Sequence, residues 1–290
     1  MLHFFSQIYD LTCNIQTMKA YITLLSTMSY LPGVIVLHDS VKRSNTPYPF
    51  WVAISSSVPP EVDARLIDRG MYVVRLPMPI KIPLTFRENS GHWGNTFDKI
   101  HLFGLTSFAK LVYLDSDMIV LKNIDELFDK PHLSAVAAGQ LEHPDWTRLN
   151  SGLMVIEPED QLPEKMVGVI DRAVEEVSAL GSNKIGDQDI VNAYYRDWPH
   201  RKDLHLDDGY NLFFSDLDAY IDRHGYQIPI EANKSLKNVH VVHFVGPQKP
   251  WMKWANAKHL LRTIKNKGSC KREREAFLMY LSHLKRLNLS

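Results

Sequence analysis

Short apolar runs alternate along this chain with stretches whose apolar residues recur at helical spacing. Tyr21 to Leu25 is a compact run of strand length, and Leu31 to Lys42 carries the spacing of a helix. Phe50 to Ser55 reads as a second strand, a helix opens at Pro59-Pro60-Glu61, and Tyr72 to Leu76 reads as a third strand. Such alternation builds a mostly parallel sheet with helices on both faces. A loop rich in Pro, Asn and Gly then runs from Pro77 to Gly94. Phe97, Ile100, His101, Leu105 and Phe108 follow on one helical stripe. The unbroken run Leu111-Val112-Tyr113-Leu114 comes next and has the character of a buried central strand. Further strands are predicted at Leu133–Ala138, Gly152–Ile156 and His240–Phe244, with a long helix over Glu164–Leu180 and a shorter one over Asp189–Tyr195. The last segment puts Phe277, Tyr280, Leu281, Leu284 and Leu287 on one helical face.

No repeat or low-complexity linker interrupts this order, so one continuous α/β domain is the simplest parse. The 290 residues can bury a sizeable core, and 45% hydrophobic with 23% charged residues is the mix of an ordinary globular protein. Lys plus Arg and Asp plus Glu both total 33, so any electrostatic function is local, and nothing in bulk draws the chain to nucleic acid. The two cysteines, Cys13 and Cys270, indicate neither a zinc site nor a disulfide framework and fit a reduced, cytoplasmic setting. No apolar run approaches the length of a membrane span. Residues 1–17 lack the pattern of a signal peptide and read as an N-terminal extension to a domain over residues 18–256, with a helical C-terminal extension over 257–290. The sequons at Asn233 and Asn288 then read as chance matches. Lys271, Arg272, Arg274, Lys285 and Arg286 surround the apolar face of the last helix. Packing on the domain is the favoured reading of that face, ahead of a peripheral membrane or partner contact.

Composition leaves the chemistry open, and local motifs supply it. Asp115-Ser116-Asp117 ends the buried strand, where a turn lets two carboxylates converge, and ligands of open parallel sheets gather outside such strand ends. Hard oxygen donors suit Mn²⁺ or Mg²⁺, which in turn bridge phosphate oxygens. Asn150-Ser151-Gly152 opens a strand with two small polar groups and a glycine that admits a close approach. Gly186-Asp187-Gln188 begins a helix. His243-Phe-Val-Gly246-Pro-Gln-Lys249-Pro-Trp251 joins a metal-capable imidazole to a glycine and a lysine flanked by prolines, a grouping suited to a third metal ligand and a diphosphate clamp. Each of the shorter motifs, taken singly, is equally a turn or a cap.

In this order the four motifs resemble glycosyltransferase family 8, especially its glycogenin and galactinol synthase branch, over about Ala20 to Trp251. Thr23-Leu-Leu-Ser-Thr27 with Tyr30, Lys99, and Asn123-Ile-Asp-Glu-Leu-Phe128 fit as well. The resemblance implies a GT-A fold with a Rossmann-like, mostly parallel sheet, manganese dependence with magnesium as the alternative, a UDP-sugar donor and retention of configuration. Carried over by position, Asp115, Asp117 and His243 would ligate the metal, with Ser116 between the two acids. Leu24, Ser26, Thr27 and Tyr30 would contact the uridine. Lys99, Asn150, Ser151, Asp187 and Gln188 would surround the transferred sugar, with Lys99, Asp187 and Gln188 as catalytic candidates. Gly246 and Lys249 would hold the diphosphate, and Arg87 is placed near the donor. Lys184 departs from the pattern, standing where glycogenin-like members carry an acid.

Glucose and galactose lead as donor hexoses. The acceptor is left open among a saccharide, a polyol, a lipid-linked glycan and a protein, as is a homodimer. Tyr194, Tyr195 and Tyr210 are candidates for a self-glycosylated tyrosine, although lining the core and cleft is their commoner role. Two routes for transfer stand: attack of the acceptor hydroxyl from the leaving-group face, or double displacement with Asp187 as nucleophile. Two other functions compete. A haloacid-dehalogenase-like phosphatase also uses Asp-x-Asp after a buried strand, with Asp207-Asp208 as its later acids. A nucleotide-sugar-binding protein without turnover would keep the same motifs.

Overall fold

The computed structural model describes residues 18–82, 96–229, 237–252 and 271–289. The first half lays down β1 (Lys19–Leu25), α1 (Leu31–Arg43), β2 (Phe50–Ile54), α2 (Glu61–Ile67), β3 (Tyr72–Arg75), β4 (Lys110–Leu114), β5 (Met118–Val120) and β6 (Ala135–Val136). The second half adds β7 (Asn150–Ile156), α3 (Leu162–Val167), α4 (Ile170–Ala179), α5 (Asp187–Tyr194), β8 (Leu212–Phe213), α6 (Leu217–His224), β9 (Val241–His243) and α7 (Lys271–Arg286).

Six strands form the main sheet in the order β3-β2-β1-β4-β7-β6. β3, β2, β1 and β4 run parallel, while β7 runs antiparallel to both of its neighbours. The sheet is apolar on both faces because successive side chains alternate between two cores. Ala20, Ile22, Leu24, Ala53, Tyr113 and Met154 face one core, which the residues of α3, α4 and α5 close. Tyr21, Leu25, Val52, Ile54, Val112 and Val155 face the other, closed by α1 and α2. A second, three-stranded sheet has the order β5-β9-β8. It shares a third core with α6 and α7, in which Ile119, Val242, Tyr220, Phe277 and Tyr280 are buried together.

The expected alternation of strands and helices is present, with local differences. The stripe from Phe97 is a 3-10 helix, Phe97–Gly104, and not an α-helix. Three residues per turn set Phe97, Ile100 and Phe103 in one row, and Lys99 and Leu102 are buried as well, so the segment is enclosed on several sides. The long helix expected over Glu164–Leu180 is two, broken at Gly168 and Val169, where Val169 leaves helical geometry at φ −106° and ψ 12°. The strand expected at Leu133–Ala138 shrinks to Ala135–Val136, because Leu133 sits at φ 65° and the pairing with β7 is irregular. The helix expected from Asp189 begins two residues earlier, at Asp187, and the Asp189 carboxylate accepts from the Gly186 N–H at 2.9 Å. Residues 1–17, both cysteines, Asn233, Arg87 and most of the Pro77–Gly94 loop lie outside the described residues. No helix of the described chain is long and apolar enough to cross a membrane.

One buried imidazole gives this fold a sensitivity to acid. His38 on α1 is 8% exposed, and its ring centroid lies 5.2 Å from that of Phe50. Burial, with Lys42 nearby, pulls its pKa down to about 4. Because the folded value lies below the unfolded one, the contribution is intact above the ordinary histidine range near 6.5 and is lost as pH falls through 4. Protonating His38 is expected to cost about 3 kcal/mol of stability. Urea unfolding at pH 7 and pH 4.5 checks this: His38→Gln should lose less stability between the two than the wild-type chain does.

Candidate active site

Two strand registers bring the functional side chains together. On one side β4 pairs with β7, and the Asp115 N–H donates to Gly152 O at 2.8 Å, so Asn150-Ser151-Gly152 lies against Asp115. On the other, β5 pairs with β9 with Met118 opposite His243, and the Phe244 N–H donates to Asp117 O at 3.0 Å. Asp115-Ser116-Asp117 is therefore the turn by which the chain passes from the large sheet to the small one. Gly152 is required for this approach: a Cβ there would lie 2.6 Å from His243 Cε1 and 2.9 Å from its Nδ1.

The cluster that results is strongly ionic. Lys99 Nζ is 2.7 Å from Asp187 Oδ2 and 3.0 Å from Asp115 Oδ1, and donates to Ser151 O and Oγ at 3.2 and 3.3 Å. Its ammonium also stands 4.8 Å from the centre of the Tyr113 ring. Lys249 Nζ reaches Asp117 Oδ2 at 2.5 Å and Phe244 O at 2.9 Å. Hydroxyls complete the set: Tyr113 donates to Asp115 Oδ1 at 2.5 Å and Ser151 to Asp187 Oδ2 at 2.7 Å.

Charge neighbours decide the protonation of these groups. Burial would neutralise Lys99, but Asp115 and Asp187 outweigh it and hold the ammonium above the usual lysine range. Burial pushes the Asp115 carboxyl up, and Lys99 offsets this only in part. The same burial acts on Asp117, where His243 and Lys249 win and hold the carboxyl well below its ordinary range. The two acids of one turn are thus driven apart in acidity, which is common where a site is arranged for chemistry.

Asp115, Asp117 and His243 each offer a ligand atom, and these atoms lie within 4.8 Å of one another. His243 Nε2 is 3.2 Å from Asp117 Oδ1 and 3.7 Å from Asp115 Oδ2. Two carboxylate oxygens and an imidazole nitrogen are a donor set that suits Mn²⁺, so the residues present fit a divalent cation.

The structure places the remaining sequence-predicted residues as follows. Leu24 is buried near the end of β1, with Ser26, Thr27 and Tyr30 in the segment that follows. Tyr30 lies with its ring centre 5.8 Å from Lys99's counterpart on the far side, Lys249 Nζ, and 5.5 Å from the Trp251 ring. Gln188 accepts from the Ser151 N–H at 3.2 Å, and Asn150 Oδ1 accepts from the Gly152 N–H at 3.0 Å. Ser116 is buried in the turn, and Gly246 takes a left-handed φ of 91° between His243 and Lys249. Lys184 is exposed. Asp207 accepts from Tyr226 and from the Gly209 N–H, while Asp208 accepts from Tyr220, so neither joins the metal-type cluster that the phosphatase reading requires. Tyr195 meets His132 at 2.8 Å and Tyr210 donates to Glu126 at 2.6 Å.

Sequence reasoning missed Asn211, which contacts His243 Nδ1 at 2.9 Å and Asn150 at 2.8 Å. It also read Tyr113 as core alone. Periodicity does mark Tyr113, two residues before Asp115 on the same strand, but nothing local marks Asn211.

Known proteins match this arrangement. The sequence model described as Glycosyl transferase family 8 matches residues 21–255, a span that holds every residue of the site. Glycogenin-1 of Mus musculus is 31% identical over 242 residues, covering 81% of this chain and 66% of that protein. Inositol phosphorylceramide glucuronosyltransferase 1 of Arabidopsis thaliana is 30% identical over 258 residues, covering 81% of this chain and 43% of that protein. The chain thus spans only part of the length of both relatives. Among solved structures, the galactosyltransferase LgtC in complex with donor and acceptor sugar analogs aligns with a TM-score of 0.57 at 19% identity, covering 86% of this chain and 94% of that one. GlyE of Streptococcus pneumoniae TIGR4 aligns with a TM-score of 0.55 at 20% identity, covering 91% of this chain and 60% of that one. The fold is therefore the GT-A fold of glycosyltransferases, with its mixed, mostly parallel sheet. Within that class, the chain belongs to glycosyltransferase family 8.

Lys99 offers a test of the ionic cluster. Its side chain is 3% exposed, and removing its charge leaves the buried Asp187 and the half-buried Asp115 without the cation that bridges them. Lys99→Met is expected to destabilise the protein by about 3–5 kcal/mol in urea unfolding, and adding Asp187→Asn should recover part of the loss.

Proposed function

We propose that this protein is a Mn²⁺-dependent glycosyltransferase that moves a hexose, glucose or galactose foremost, from a UDP-sugar to a hydroxyl acceptor with retention of configuration. The observation that carries the reading is the convergence of Asp115, Asp117 and His243 at the end of β4, with Lys249 on one side and the Lys99–Asp187 pair on the other. Family membership supports transfer of a sugar from a nucleotide sugar. A cytoplasmic setting belongs to the same reading and rests on the sparse cysteines.

Departure of UDP develops negative charge on two phosphates. A divalent cation held by Asp115, Asp117 and His243 would supply Lewis-acid stabilisation of that leaving group. Lys249 provides a fixed positive charge beside the same ligands, where charge grows in the transition state. Leu24, Ser26, Thr27 and Tyr30 form the uridine end of the proposed site, and Gly246 gives the backbone a turn that brings Lys249 back to Asp117. Lys99, Asn150, Ser151, Asp187 and Gln188 form the sugar end; hydrogen bonds through Ser151 join Lys99, Asp187 and Gln188, and Asn150 is held by the Gly152 N–H and Asn211.

Of the two routes, we favour attack from the leaving-group face, with the acceptor proton passing to the departing phosphate. Asp187 Oδ2 already receives both the Lys99 ammonium and the Ser151 hydroxyl, each at 2.7 Å. Two donors weaken that oxygen as a nucleophile, and attack through Oδ1 would have to leave both of them in place. Asp187 is then the residue that holds Lys99 and Ser151 in place against the sugar.

A screen of UDP-glucose, UDP-galactose, UDP-glucuronate and UDP-N-acetylglucosamine, read as Mn²⁺-dependent UDP release, tests the donor without needing the acceptor. Release is expected with one hexose, and Asp117→Ala should lower it by at least about a hundredfold. Unchanged turnover in that variant would sink the metal assignment. Tight UDP-sugar binding with neither hydrolysis nor transfer would favour a binding protein instead.

A further inference from the structure

A line of hydrogen bonds crosses from β7 to β9, and its polarity can be read from one end. The Gly152 backbone N–H can only donate, so the Asn150 atom it meets at 3.0 Å is the acceptor Oδ1. That oxygen lies 2.8 Å from the Asn211 amide, which must therefore present its donor, Nδ2. The opposite end of Asn211, its Oδ1, then faces His243 Nδ1 at 2.9 Å. An amide oxygen only accepts, so Nδ1 carries the proton. Nε2 is then the nitrogen that faces Asp117 Oδ1 at 3.2 Å and Asp115 Oδ2 at 3.7 Å, the one placed to ligate a cation. Nε2 and the two carboxylates converge on one point, where a cation can take the place of a proton on Nε2.

We propose that Asn211 is the positioning residue of this site: it fixes His243 in the Nδ1–H form and aims the Nε2 lone pair at the space between Asp115 and Asp117. The assignment rests on the metal-binding reading of those three residues. Several features make the device rigid. Asn211 is 1% exposed, so water does not compete for its amide. The absence of a Cβ at Gly152 lets the imidazole pack against β7, and Phe213 meets it edge to face at 5.7 Å between centroids. Packing thus holds the ring plane and Asn211 holds the proton. A partner on the non-ligating nitrogen of this kind typically strengthens a metal site by 10- to 100-fold. The relay also occupies Asn150 Oδ1 with two donors, which leaves its amide nitrogen as the end that can face a sugar oxygen.

The test combines a spectroscopic reading with metal affinity. In ¹⁵N-histidine-labelled wild-type protein, long-range ¹H–¹⁵N spectra are expected to show a proton on His243 Nδ1. Mn²⁺ titration followed by electron paramagnetic resonance is expected to show Asn211→Ala binding about 10- to 100-fold more weakly than wild type. Asn211→Asp keeps an acceptor for Nδ1–H but loses the donor to Asn150 Oδ1, and should recover part of that loss. A wild-type His243 without a proton on Nδ1, or an Asn211→Ala protein that folds and binds Mn²⁺ within about threefold of wild type, would overturn the proposal. The wild-type spectrum decides even where a variant fails to fold. A wild-type protein that shows the Nδ1–H form and binds no Mn²⁺ would leave the Asn211 orientation supported and remove the metal reading, so the two failures are told apart.

Discussion

Backbone hydrogen bonds clamp both ends of the turn Asp115-Ser116-Asp117, from the Asp115 N–H to Gly152 on β7 and from the Phe244 N–H, just beyond β9, to Asp117 O. The turn is a short covalent joint between two sheets with different cores, and pairing on both sides holds the acids together. Two buried carboxylates held close would be costly alone, since each ion taken out of water loses several kcal/mol that only good geometry repays. The structure answers with one cation on each side. Lys99 bridges Asp115 and Asp187, and Lys249 covers Asp117. Tyr113 and Ser151 spend their hydroxyl protons on oxygen atoms of the same carboxylates.

This arrangement divides the site electrically. Asp117, with an imidazole and an ammonium beside it, is held as a firm anion, whereas Asp115 is pushed toward its neutral form by burial despite Lys99. Adding positive charge between the two acids would favour the ionised form of both, so the pair is built to respond to a cation. Lys99 does not serve as a proton carrier in such surroundings, because Asp115 and Asp187 hold it charged in spite of its burial. Its work is positional and electrostatic.

Much of this was legible in the sequence, for definite reasons. β1, β2 and β4 are unbroken apolar runs because both of their faces are buried, and such runs announce themselves. The motifs at Asp115, Asn150, Asp187 and His243 were legible through their order along the chain, since the shorter ones taken singly read as turns or caps. What escaped detection depends on pairing between distant segments. Asn211 gains its role only because β8 lies parallel to β9 and sets Phe213 opposite His243, a register that spans some thirty residues. β5, β6 and β8 are two or three residues long, too short to carry a period. The segment around Lys99 was read as an α-helix because apolar residues at positions 97 and 100 suit either winding, and only enclosure on several sides shows the tighter one.

The position of Lys249 is set by more of the chain than its own loop. Two residues on, Trp251 donates its indole N–H to Ser29 O at 2.8 Å, and its ring lies 5.5 Å from Tyr30 and 6.0 Å from Tyr280 between centroids. Gly33 on α1 makes room for this ring, since a Cβ there would come within 2.7 Å of it. The segment expected to face uridine and the lysine expected to face diphosphate are therefore braced by one indole. Tyr280, which backs that indole, belongs to α7, beyond the family-matched residues 21–255. It is fully buried among Phe244 and Trp251, and Phe244 in turn accepts from Lys249 through its carbonyl. The apolar face of the last helix thus serves as the floor on which the Lys249 loop rests. A change in that face would reach the donor site by shifting Trp251 and Phe244, without altering any residue of the family motifs.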